Sequence, residues 1–135
     1  MQIFLNLTPH PVNIYNENDE LILTIPSAGT IRLQEKTESN GSVAGIPLVA
    51  KSTDGISVLL SEDLPSFTCP TVVIVSRPVG EAIARSPHLR IRLTHNLLFR
   101  DVNVDTFVCP DTGEDSVVRD ENGRIIGVRR FCVFK

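Results

Sequence analysis

Apolar and polar positions alternate along much of this chain with a period of two, and turn-forming residues interrupt the alternation about every ten residues, which predicts strand after strand. Residues 3–7 open the series. Thr8, Pro9, His10 and Pro11 end that run, because two prolines remove two ladder donors. Residues 12–15 and 21–25 flank a polar turn at 16–20 and complete a first hairpin. After a turn at 26–29, residues 30–34 form a strand with Ile31 and Leu33 on one face. The polar stretch 35–42, which contains Asn40 and Gly41, predicts a mobile loop. Residues 46–50 and 56–60 then read as two strands around a turn at Thr53, Asp54 and Gly55.

The second half has a different texture. Residues 71–75 are a β-branched run, the pattern of a central strand buried on both faces. Ser76 is placed to cap a short helix over 77–85, with Pro78 tolerated in its first turn and Gly80 weakening it. Leu89, Ile91 and Leu93 alternate with polar residues, predicting a half-exposed strand over 88–94 with Arg90 and Arg92 outward. Residues 96–99 fit a helical turn or an extension of that strand. Residues 116–119 and 124–128 flank Asn122 and Gly123, predicting a hairpin. The expected fold is mainly β: a β-rich α+β domain of antiparallel strands and hairpins with one or two short helices. A length of 135 residues fits one domain spanning 1–135.

Charge changes the picture by its position. Only Arg32 of the ten arginines precedes residue 77, and up to residue 76 eight acids face three bases. From residue 77 onward ten bases face eight acids. Arginine is the planar, always-charged donor suited to carboxylates and phosphates, so a surface for an anionic ligand is expected from the C-terminal part. The overall charge of −3 argues against general nucleic-acid binding, which needs a strong positive field. Apolar stretches of four or five residues are far too short to span a membrane, and the first residues lack a basic signal-peptide region, so a cytoplasmic location is expected.

Chemical motifs are sparse. Cys69, Cys109 and Cys132 form no closely spaced pair, which favours reduced cysteines acting as small hydrophobes over a metal site. No cofactor is expected. Asp111, Thr112 and Gly113 match the catalytic loop of aspartic proteases, but Pro110 spoils the strand entry such a loop needs, and Pro-Asp-Thr-Gly is a standard turn. A small hydrolase is therefore only a third reading. His10, held between two prolines, occupies a rigid and exposed place suited to ligand contact. Arg129 and Arg130 are neighbours on a terminal strand and should point to opposite faces. At the junction of residue 75 with the helix begun by Ser76, backbone N–H groups and a partial positive dipole favour anions, with Arg77 adding formal charge. Arg119, on the hairpin, and the loop of Asp111 and Thr112 should lie nearby if the C-terminal strands pair with the central one.

Residues 6–15, beginning Asn6-Leu7-Thr8-Pro9-His10, are similar to the opening of a family of small proteins met in bacteriophage and prophage genomes. The likeness continues through 25–32 and 73–79, and closes with 100–102, 109–113 and 118–126. The stretch 86–99 looks longer than the family pattern, which sets Arg90 and Arg92 apart from it. The resemblance implies a source, and with it the host-cell cytoplasm, but no activity. The expected function is a non-enzymatic bacteriophage-type accessory protein, acting in counter-defence. Its partner would be a small anionic ligand, a nucleotide among the candidates, or a host protein. Arg77, Arg100, Arg119, Asp111, Thr112 and His10 are the ligand-binding candidates. The alternative is a virion, assembly or homo-oligomeric scaffold protein, using exposed edges and the apolar strip Phe131, Cys132, Val133 and Phe134.

Overall fold

The computed structural model describes residues 3–62 and 67–134. Its centre is a sheet in the order β1(Ile3–Asn6), β6(Phe67–Ile74), β7(Val102–Pro110), β10(Phe131–Cys132). The first three strands are parallel, and β10 is antiparallel to β7. The expected central strand is β6, and residues 71–75 are buried throughout. Alternation along β6 supplies both faces. Val73 and Val75 join one hydrophobic cluster, and Val72 and Ile74 the other.

The first cluster is covered by α1(Arg77–Arg85) and α2(Pro87–Phe99) through Val79, Ile83, Leu89, Leu93 and Leu97. The second is covered by a sheet in the order β3(Leu21–Ile25), β2(Val12–Tyr15), β9(Ile125–Val128), β8(Val117–Arg119), which contributes Val12, Ile14, Ile25, Val117 and Val128. The β-rich α+β class stands. Hairpins β2–β3 and β8–β9 are antiparallel as expected, and the parallel pairing at the core is what strand-by-strand reading could not supply.

Two expectations fail between residues 29 and 60. Residues 35–42 are not a loop, and residues 53–55 are not a turn. β4(Gly29–Val43) and β5(Ile46–Leu60) are single fifteen-residue strands paired into one long antiparallel ribbon. The chain reverses at Ala44 (φ 50°) and Gly45 (φ 78°), the two positive φ values a tight hairpin needs. The apparent turn signals are bulges. The register shifts between Ser39 and Ser42, around Gly41 (φ 78°), and again between Gln34 and Glu35, opposite Asp54. The ribbon's base packs into the first cluster through Ile31, Leu33, Ile56, Val58 and Leu60, whereas residues 34–54 are exposed throughout.

The strand expected over 88–94 is a helix. Leu89, Leu93 and Leu97 recur every four residues and are buried, while Ile91 is 55% exposed. Ser86 caps α2 by accepting from the Leu89 N–H (3.3 Å), and Pro87 follows at the first helical position. Arg90 and Arg92 therefore leave in different directions. Arg90 lies over the Phe107 ring at 5.8 Å, and Arg92 donates to the Asp54 carbonyl at 3.3 Å.

Candidate anion-binding cleft

Three parallel strands end side by side and their continuations diverge. Leu7 N–H donates to Ile74 (2.9 Å) and Val75 N–H to Val108 (2.8 Å), so the exits of β1, β6 and β7 are held together. Beyond them β6 enters α1 on one face of the sheet, while β1 crosses to the other face and becomes β2. A crevice outside the carboxyl ends of parallel strands is where open α/β sheets take ligands. Here it has a volume of about 390 Å³. His10, Ser76, Arg77 and Thr112 supply its polar lining, and Pro11, Val12, Ile126 and Val128 its apolar wall.

The Asn-Leu-Thr-Pro-His sequence has a structural explanation. Asn6 is 1% exposed and fully engaged. Its amide donates to the carbonyls of His10 (2.9 Å) and Ile25 (3.0 Å), and its side-chain oxygen accepts from Thr8 N–H (3.0 Å) and Thr8 Oγ1 (2.6 Å). Thr8 Oγ1 also lies 2.9 Å from the His10 carbonyl, and Ser27 Oγ donates to the Thr8 carbonyl. This knot fixes the turn that presents His10 to the cleft.

On the opposite rim, Ser76 occupies the N-cap position of α1 without a side-chain capping bond, and the first turn has no acidic residue. The helix N-terminus therefore keeps its partial positive charge uncompensated by such groups. Arg77 reinforces it. Its Nε donates to Glu81 at 3.1 Å across an exposed surface, a pairing of small strength.

Asp111 lies in an adjoining hollow of about 260 Å³ shared with Arg77, Cys109, Thr112 and Phe134. Its carboxylate accepts from Gly113 N–H (3.1 Å), the turn bond that the Pro-Asp-Thr-Gly sequence announces. It also accepts from Arg130 Nε at 2.6 Å, while Arg130 Nη2 reaches Asp115 at 2.7 Å. Hydrogen bonds from Arg130 hold both carboxyls below the usual range, so the two acids stay ionised around a shared cation. That is the opposite of a proton-sharing dyad. Arg129 turns the other way, to Asp19 and to the Val117 carbonyl. The two arginines do leave in different directions, but from the connection between β9 and β10 rather than from the terminal strand expected.

The structure thus brings His10, Arg77 and Thr112 to one cleft, with Asp111 beside it. Arg119 is not part of the cleft lining: it donates to the Gly123 carbonyl (2.8 Å) and pairs with Glu114 (3.2 Å). Arg100 caps the C-terminus of α2, where β7 begins, whereas the cleft lies where β7 ends. Strand rise separates the two by roughly 25 Å. The apolar wall from β9 and the Asn6 knot escaped sequence reasoning. The wall depends on β9 lying parallel to β2, a tertiary fact, but Asn6 and Thr8 flanking a strand end before His10 were a readable turn signal. Comparison of the chain with protein-family models, with curated proteins and with solved structures finds no match, so the geometry of this cleft is what carries a functional reading.

Proposed function

We propose that this chain is a non-enzymatic, bacteriophage-type accessory protein that holds a small anion of the nucleotide class in the cleft, in a counter-defence role. One observation carries the reading: a single cleft joins an apolar wall to a positive rim. Pro11, Ile126 and Val128 offer a flat ring a place to rest, while Arg77 and the α1 N-terminus face an anionic group. The volume of about 390 Å³ lies within the range of small-molecule sites. The test is thermal denaturation against mono-, di- and cyclic nucleotides. A ligand present at a hundred times its dissociation constant adds about 2.7 kcal/mol of stability. Arg77→Ala should abolish the shift and Arg100→Ala should leave it intact. No shift with any nucleotide would remove this reading.

A second reading, a homo-oligomeric scaffold, rests on the ribbon. Val43, Ile46, Leu48 and Val49 are exposed near its tip, between 40% and 64%. Sedimentation of the wild type beside an Ile46→Lys, Leu48→Lys variant separates the readings. A wild type that stays monomeric at high concentration excludes the scaffold.

A further inference from the structure

We propose that Cys109 and Cys132 are a redox-active dithiol that closes to a cross-strand disulfide and fixes the C-terminal strand beside the cleft. The register puts them there. Cys132 is the direct partner of Cys109 across β7 and β10, Phe131 faces Pro110, and Asp111 N–H donates to the Arg130 carbonyl at 3.0 Å. Directly opposed residues of an antiparallel pair have Cα atoms about 4.5–5.5 Å apart, inside the range a disulfide spans, and their side chains share one face. The Cys132 thiol is near enough to raise the pKa of Cys109. The third cysteine, Cys69, is exposed in the N-terminal half of β6 and belongs to neither strand.

The two thiols are unequal, which sets the order of events. Burial, with the neighbouring Cys132 adding to it, pushes the Cys109 thiol up to about 11, so it is a poor first nucleophile. Cys132 is partly exposed and lines the hollow shared with Arg77 and Phe134. With a low-molecular-weight disulfide such as oxidised glutathione as oxidant, the Cys132 thiolate attacks one glutathione sulfur. That sulfur–sulfur bond breaks, and one glutathione thiolate leaves and takes a proton. Cys109 then loses its proton to solvent and attacks the Cys132 sulfur of the mixed disulfide, expelling the second glutathione. Two protein thiols have given up two hydrogens, and the oxidant has become two thiols.

The bond would tie down β10, the shortest strand among the described residues at two residues long, together with the Phe134 ring that rests on Gly80 of α1. Any effect on ligand binding rests on the reading of the cleft given above; formation of the bond does not. The experiment therefore uses the protein alone, equilibrated with reduced and oxidised glutathione, alkylated and mapped by mass spectrometry. A Cys69→Ser variant removes the competing thiol. The expected result is loss of two hydrogens, a peptide crosslink between Cys109 and Cys132, and a melting temperature that rises and returns on reduction. Glutathione adducts without that crosslink, or oxidation only through Cys69 between molecules, would overturn the proposal. Because wild type gives the primary readout, a misfolded variant cannot mask the outcome.

Discussion

The ring of Phe134 lies so close over Gly80 that a Cβ at position 80 would sit 2.6 Å from its Cε2 atom. Glycine in a helix interior normally costs about 0.5–1 kcal/mol relative to alanine. Here it makes room for an aromatic side chain from the C-terminal segment. Gly80→Ala should therefore destabilise the protein by about 1–2 kcal/mol, the usual scale of overpacking. In a Phe134→Ala background the same change should stabilise it by about 0.5–1 kcal/mol. A denaturant double-mutant cycle reads the sign reversal, and the same sign in both backgrounds would show that the ring does not rest there.

Asn6 satisfies two carbonyls and takes two hydrogen bonds from Thr8 in a site almost closed to water. Asn6→Ala leaves buried partners unmet and should cost about 2–4 kcal/mol. Thr8→Val removes only the hydroxyl bonds and should cost about 1–1.5 kcal/mol. Urea unfolding of both variants orders them; equal losses would mean that Asn6 is not the hub.

Leu93 is fully buried and Ile91 is 55% exposed, although they are two residues apart. Leu93→Ala should cost about 2–5 kcal/mol and Ile91→Ala no more than about 0.5 kcal/mol. Comparable losses at the two positions would restore the strand that alternation alone suggests.

That contrast shows why parts of the fold were legible and others were not. The β-branched run of β6, the prolines after β1 and Asn122-Gly123 each admit one simple structure, and they adopt it. Leu89, Ile91 and Leu93 fit a period of two, and Leu89, Leu93 and Leu97 fit four, so packing against β5, β7 and α1 decides between them. Gly41 and Gly55 signal local freedom without saying whether it is spent on a turn or on a bulge. Arg77, His10 and Thr112 could be nominated because each follows a strand that ends there. Arg100 could not be excluded without knowing that β6 and β7 run parallel, which puts the start of β7 far from the cleft.

The Asp111–Arg130–Asp115 cluster makes a pH prediction. Both carboxyls are depressed below the ordinary 3.8 when folded, chiefly by hydrogen bonds from Arg130. Their stabilising contribution is complete above 3.8 and is lost as pH falls through the lowered folded values. Arg130→Gln should return both carboxyls toward 3.8, and carbon-detected NMR titration measures it directly. Unchanged titration in the variant would disprove the pairing. At the other extreme, Cys109 is raised above its ordinary 9.0 to about 11, so its contribution is whole below 9.0 and disappears as pH climbs through 11.

β1 pairs with β6, and Ile3 meets Thr71 across half the length of the chain. Hairpins such as β2–β3, β4–β5 and β8–β9 close over a few residues, whereas this pairing must bring distant segments together before any contact rewards it. The order of folding follows: local ribbons early, the parallel centre late. Leu5→Ala is then expected to accelerate unfolding and leave the folding rate nearly unchanged, and a matched slowing of folding would contradict this order. Since the cleft is made from the exits of those late strands, it is among the last parts of the molecule to take shape and among the first to be lost.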